Sequence, residues 1–341
     1  MTFPPSPVHR PALALGLVAL LIAPTLVYPV FMMKLLCFAL LAASLNLLVG
    51  YVGLLSFGHA MFFGSAAYVS AHAIKVWGFD VSLGILAGVA TAAALGATTG
   101  LLAIRRQGIA FSMITLAFAQ LVYFVALQLP FTGGEDGIQN VPRRPLFGLL
   151  DLGNNMTLYY VVLTIAVLGF WLAYRIVYSP FGQVLKAIRD NEPRAISLGY
   201  KVNRYKLLAF TLSAALAGLA GATKVVVFQI ATLTDVGFGV SGEAVLMSIL
   251  GGIQTMLGPI VGALISVTMQ NYLAGFAEWV LILQGVVFVV VVLVFPRGIV
   301  GEYQAWRLRK RASRQALASP SSSRGDVSPE PGVSPHGIQH S

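Results

Sequence analysis

The chain has 341 residues, of which 57% are hydrophobic and 10% charged, and its 22 Lys and Arg against 12 Asp and Glu give a formal net charge of +10. So few polar residues cannot cover a soluble globule of this size, which excludes a water-soluble enzyme or binding domain and leaves an integral membrane protein. Apolar runs of about 20 residues suit α-helices crossing a hydrocarbon core of about 30 Å rather than the alternating strands of an outer-membrane barrel. The single cysteine, Cys37, lies inside such a run and offers neither a disulfide framework nor a metal cluster.

In chain order, residues 1–10 form a short cytoplasmic N-terminus, and a transmembrane region fills 11–296. "PALALGLVALLIAPTLVYPV" lacks a small-residue cleavage site and is followed at once by a second apolar run, so it is a first membrane helix rather than a signal peptide. Spans are predicted at 11–30, 31–50, 54–74, 82–103, 109–129, 157–177, 207–229 and 276–296. Arg105 and Arg106 mark one inner turn, the basic stretch 178–206 marks a second, and the basic tail after Phe295 marks a third. With both flanks of 207–296 inside, the crossings between them must be even in number. The Gly251–Gly252 pair and Gly258–Pro259 therefore predict that 244–272 forms a re-entrant pair of half-helices or two short crossings. The tail, 297–341, is basic and Ser/Pro-rich and is expected to be disordered.

Small residues recur at helical spacing: Ser56, Ala60, Gly64, Ala67 and Ala71; Ser213, Ala217 and Gly221; Gly258, Gly262 and Ser266. They let helices approach closely in a compact bundle. A subset near Gly50–Gly58 and Gly251–Gly258 breaks helices, and broken helices are where transport proteins expose backbone groups to a solute. His59 beside glycines is first a hydrogen-bonded packing residue. Together with Asn46, Ser56, Gln120, Gly251, Gly252 and Gly258 it is a candidate to line a translocation path. Lys34, Lys75, Lys224 and Glu278 fall near span ends, where snorkelling accounts for them. Paired carboxylates in mid-membrane are absent, as are HExxH, GxSxG and GxxxxGK[ST] motifs, so no catalytic residues, resident cofactor or metal are expected.

The cytoplasmic stretch "SPFGQVLKAIRDNEPRAISLG" is the most informative. Val184, Leu185 and Ile188 make an apolar strip on a short amphipathic helix over 182–192 that Pro193 limits. Such a helix either rests on the membrane surface or docks on a soluble partner.

At these residues the sequence resembles the M-type permease subunits of high-affinity branched-chain amino acid ABC importers. The likeness covers "LNLLVGYVGLLSFGHAMFFGSAAYVSA", "GIAFSMITLAFAQLVYF", "TGGEDGI", the cytoplasmic stretch with its continuation through "KLLAFTLSAALAGLAGA", "SGEAVLMSILGGIQTMLGPIVGA" and "FPRGIVG". The resemblance implies an all-α polytopic transmembrane helix bundle with broken or re-entrant helices, placed in a bacterial inner membrane. It also implies a second permease subunit, two cytoplasmic ATPase subunits and an external or periplasmic substrate-binding protein, with the lipid bilayer as solvent and no nucleic acid as partner. Residues 179–199 match the family's coupling loop, so Phe181, Gly182, Val184, Leu185, Lys186, Ile188, Arg189 and Arg194 are expected to meet the ATPase. Ile253 and Gln254 stand where family members often have a small residue and glycine, and Lys224 where many have an apolar or aromatic side chain. Relatives also import urea, short amides and other amino acids, which leaves the solute open. The competing reading is a self-sufficient secondary carrier or channel for a small polar solute.

The charge pattern predicts sidedness. Single cysteines at Gln139 and Gln183, in a background lacking Cys37, should react with impermeant thiol reagents from opposite sides of the membrane; labelling from one side would overturn the topology.

Overall fold

The computed structural model describes residues 20–318 except 26, 146–150 and 274–278, so the predicted N-terminus, half of the first span, Glu278 and the tail beyond 318 lie outside the described residues. Twelve named α-helices follow: α1 (Pro29–Tyr51), α2 (His59–Lys75), α3 (Val81–Ala103), α4 (Ile109–Gln128), α5 (Asn155–Tyr178), α6 (Pro180–Asp190), α7 (Glu192–Ser197), α8 (Val202–Phe228), α9 (Phe238–Gly251), α10 (Gly258–Leu273), α11 (Trp279–Val294) and α12 (Ile299–Ala318). Residues 20–25 are also helical, and Tyr159 on α5 donates its hydroxyl proton to the Leu20 carbonyl at 2.6 Å.

Five helices, α1, α3, α4, α5 and α8, are long and apolar enough to cross a membrane. Within their most apolar windows α1 is 83% and α8 72% buried, against 28–39% for the other three, so α1 and α8 form the centre and the others face lipid or a partner. The remaining membrane helices are short. At 1.5 Å per residue α2 spans about 26 Å, α9 about 21 Å and α10 about 24 Å, each less than the ~30 Å hydrocarbon core. Each is continued by non-helical backbone, residues 52–58 before α2 and 252–257 between α9 and α10. α9 and α10 form a hairpin joined by residues 252–257, so α8 to α11 supply the even number of passages that the charge pattern requires.

Two expectations are corrected here. The span predicted at 54–74 begins as a helix only at His59, because residues 52–58 run non-helically, so Ser56 belongs to that segment and not to the small-residue helix face. The basic tail is helical through Ala318, because "EYQAWRLRKRASRQALA" is rich in good helix formers and free of Gly and Pro. The chain forms two compact units that divide after Glu302, and the helical residues from Tyr303 belong to the second.

Close approach is what the small residues provide. α3 and α8 pack on Gly88, Ala92 and Gly96 against Ala214, Gly218 and Ala222. A Cβ at Gly221 would overlap the Phe63 carbonyl of α2, and one at Gly262 would overlap the Met247 carbonyl of α9. At the opposite end from α6 and α7, Arg143 donates to the Val226 and Val227 carbonyls at 3.3 and 2.7 Å, a cation closing the C-terminus of α8. Local bonding at a helix end thus accounts for an arginine in a segment where the positive-inside trend leads one to expect few.

Gly221→Ala should destabilise the bundle by about 1–3 kcal/mol through forced separation of α8 from α2. Gly285→Ala, with open space around it, should be neutral. Thermal unfolding in detergent compares the two, and equal midpoints would refute the packing account.

Candidate functional site

Both helix breaks converge on α1. In the first, residues 52–58, the backbone groups released from helical bonding find side-chain partners on other helices. The Phe57 N–H donates to Thr115 Oγ1 at 3.2 Å, the Leu55 carbonyl accepts from Ser112 Oγ at 2.7 Å, and the Ala60 N–H at the start of α2 donates to Ser241 Oγ at 2.8 Å. Ser56 is buried and accepts from the Gly58 N–H at 3.2 Å. Gly53 takes φ +81°, a left-handed conformation that glycine adopts without a Cβ penalty.

His59 opens α2 and is fully buried. Ser213 Oγ donates its proton to the Ser44 carbonyl at 2.6 Å, so at 2.8 Å from His59 Nε2 it accepts. The neutral imidazole therefore carries its proton on Nε2, and Nδ1 is a lone pair without a partner among the described residues. This chain ties α2 to α8 and α1 and gives His59 a fastening role.

In the second break Asn46 acts as a two-sided clamp. Its Nδ2 donates to the Thr255 carbonyl at 2.9 Å and its Oδ1 accepts from the Gln254 N–H at 3.2 Å. The Tyr51 hydroxyl donates to the Gln254 carbonyl at 3.0 Å, and Thr255 Oγ1 donates to the Gly252 carbonyl at 2.8 Å. Gln254 itself takes φ +73°, so this is a position where glycine would sit unstrained, and its backbone is held on both sides. Gly252, at φ +112°, passes within 3.0 Å of the Arg297 carbonyl as judged from where its Cβ would be. Gly251, Gly252 and Gly258 are all buried, and a Cβ at Gly251 would overlap the Gly258 carbonyl. They close the turn by contact and do not line open space. Gln120, half-buried on α4, joins neither break by a hydrogen bond.

The stretch 179–199 is built from caps. Ser179 accepts from the Gly182 N–H at 3.2 Å with Pro180 in the first turn, which starts α6; Asn191 accepts from the Arg194 N–H at 3.0 Å, which starts α7. The apolar strip faces inward. Leu185 is 0% and Ile188 2% exposed, Gly182 is buried, Val184 is half-buried, and Phe181 stacks on Tyr205 with ring centroids 5.7 Å apart. The expectation that this strip presents itself to a partner is corrected: amphipathicity at this helix seats it on the bundle, because α5, α8 and α1 offer an apolar floor. What stands exposed is Arg194 and the following Ile196, Leu198 and Tyr200, at 57%, 71% and 40%. A cleft of about 410 Å³ opens beside them, lined by Gly199, Tyr200, Lys201 and Arg204 among others. The signal for these residues in the sequence is an apolar pair after Pro193 that falls out of phase with the strip on α6.

Arg189 joins the two regions. Its guanidinium donates to the Gly50 carbonyl near the end of α1 and to Asp190 Oδ1 at 2.8 Å, while its Cγ packs where a side chain at Gly53 would begin. Lys186 Nζ sits 5.7 Å from the Tyr51 ring centroid and 5.2 Å from that of Tyr178, and burial, then the Arg189 charge, lowers its pKa. Lys206 and Glu192 pair at 2.6 Å and fix α7 to α8. Among the described residues no three His, Cys, Asp or Glu side chains come together as a metal site.

The family described as "Branched-chain amino acid transport system / permease component" matches residues 30–292. The chain is 29% identical over 286 residues to the high-affinity branched-chain amino acid transport system permease protein LivM of Salmonella typhimurium, covering 77% of this chain and 67% of the relative. It is 25% identical to the LivH permease protein of Escherichia coli, covering 77% and 91%. To the autoinducer 2 import system permease protein LsrC of Klebsiella pneumoniae it is 32% identical over about half of each chain. No solved structure matches. A multi-pass bundle with two clamped breaks, matched by this family over most of its length, is a membrane permease, and the chain belongs to the branched-chain amino acid transport permease family.

Proposed function

We propose that the chain is one of two permease subunits that together form the inward pathway for branched-chain or chemically related amino acids. Two cytoplasmic ATPase subunits drive it and an external substrate-binding protein supplies it. The observation that carries this reading is the link through Arg189. The exposed cytoplasmic pair α6–α7 is bonded to the end of α1, and α1 clamps the second helix break through Asn46 and Tyr51. Displacement of α6 and α7 by a partner is therefore transmitted to backbone at membrane depth. ATP hydrolysis belongs to the partners, since the chain lacks the GxxxxGK[ST] loop that cradles phosphates. The basic surface around Arg194, Lys201 and Arg204, with Ile196 and Leu198 at its centre, suits a partner groove with an apolar floor and an acidic rim.

Reconstitution tests the class. Proteoliposomes with this chain alone should show no ATPase activity and no uphill uptake, and the second permease, the ATPases and the binding protein together should give ATP-dependent leucine accumulation. Accumulation driven by an ion gradient in vesicles holding this chain alone would replace the proposal with a secondary carrier.

The docking surface is tested by contrast. Ile196→Ser with Leu198→Ser should lower ATPase co-purification tenfold or more while the permease melts normally. Leu185→Ala, buried in the core, should instead destabilise the permease itself by about 2–5 kcal/mol. Unchanged ATPase retention in the double variant would remove the docking assignment.

A further inference from the structure

α11 and α12 meet at a tight turn. The exposed apolar side chains of α11, among them Val286, Val290 and Leu293, lead to Phe295, so its membrane-facing surface continues to within about one helical turn of Ile299, where α12 begins. Gly298, at φ +71°, closes the turn with its N–H on the Phe295 carbonyl at 2.8 Å, and its own carbonyl accepts from the Glu302 N–H at 2.9 Å, which starts α12. A Cβ at Gly298 would overlap the Gly252 backbone, and one at Gly252 would sit 3.0 Å from the Gly301 nitrogen. The root of α12 is therefore seated on the turn between α9 and α10. Farther along the same helix, Tyr303 and Trp306 are 53% and 54% exposed, with ring centroids 6.2 Å apart and planes 27° from parallel. Arg307 and Lys310 each follow one of these rings by one helical turn and lie over it. The Arg307 guanidinium carbon is 5.3 Å from the Tyr303 ring centroid, and Lys310 Nζ is 5.0 Å from that of Trp306. Both cations are exposed. The sequence of α12 holds five Arg and Lys against one acid, Glu302.

Water gives no reason for two large aromatic rings to stay uncovered beside a cluster of cations. The boundary between acyl chains and headgroups does: rings with polar tips settle at its depth while guanidinium and ammonium groups meet phosphate. We propose that α12 docks on the headgroups of anionic phospholipid in the leaflet where α11 ends. Tyr303 and Trp306 enter the boundary, and Arg307 and Lys310 donate to phosphate oxygens. Charge and chain continuity select this occupant. Each cation near an anionic surface favours partitioning by roughly fivefold, and covalent attachment to a membrane helix holds the stripe at high effective concentration beside that surface. Tyr303 and Trp306 lie only about 6 and 10 Å along the helix from Ile299, so the bilayer is within reach of every copy of the chain. This goes beyond the proposed function and does not depend on it.

The test uses the full chain in nanodiscs, with hydrogen exchange of the 303–318 amides as the readout. Exchange should slow about tenfold or more when phosphatidylcholine is replaced by an equal mixture of phosphatidylcholine and phosphatidylglycerol. Raising salt from about 0.1 M to about 1 M, which shortens the Debye length from about 10 Å to about 3 Å, should reverse most of the slowing. Arg307→Glu with Lys310→Glu should abolish the lipid dependence, and Tyr303→Ser with Trp306→Ser should weaken it, while exchange in α8 stays as in the unaltered chain. Equal exchange in the two lipids, fast or slow, overturns the proposal. Protection that appears only on adding the ATPase subunits or a nucleic acid overturns it too, and assigns the stripe to that partner. Lipid-dependent slowing that persists in both double variants would move the contact off these four residues and overturn their assignment. The lipid comparison itself needs no variant, so it decides even where a variant fails to fold.

Discussion

Backbone amide and carbonyl groups at membrane depth must find partners inside the protein, since lipid supplies none, and this constraint orders the whole chain. Two segments, 52–58 and 252–257, leave helical geometry, and each is supplied by side chains from other helices as well as by its own Ser56 or Thr255. Thr115 and Ser112 of α4 and Ser241 of α9 serve the first; Asn46 and Tyr51 of α1 serve the second. Each serving residue must sit within hydrogen-bond reach, so the helices that carry them cannot slide past one another without leaving a group unsatisfied. The breaks, which look like weak points, therefore fix the register of α1, α4 and α9.

Close packing is the second half of the same requirement. Hydroxyl and amide side chains are short, and they reach a foreign backbone only when helices approach closely, which the glycines and alanines of α3, α8 and α10 allow. Gly262 against the Met247 carbonyl holds α10 on α9 closely enough for the turn between them to fall under Asn46.

Much of this was legible in the sequence and some was not, for physical reasons. Composition and run length gave the all-α membrane bundle, and charge parity with the paired glycines gave the hairpin at 244–272. Ser56 shares the period of the α2 face without sharing the helix, because a period of three to four in small residues cannot by itself distinguish a helix from a segment that merely precedes one. The strip Phe181, Val184, Leu185 and Ile188 was recognised as amphipathic, but amphipathicity states only that a face is buried; whether the bundle or a partner buries it depends on tertiary context. Asn46 and Lys34 show the same limit in another form. Their residue types marked them as unusual in a span, yet what each one meets, a backbone turn more than 200 residues away for Asn46, is fixed by packing.

α1 carries three of these features along one rod of 23 residues: Lys34 near one end, Asn46 in the lower half and the Gly50 carbonyl that Arg189 holds at the other. A continuous helix about 34 Å long is stiff along its axis, so a shift imposed at either end arrives at the other with little loss. Thermodynamic linkage then makes the connection reciprocal. Any contact that favours one axial position of α1 at the Lys34 end alters affinity at the Gly50 end by the same factor, and the reverse holds equally. One helix thus supplies a common coordinate that both of its ends can read and bias.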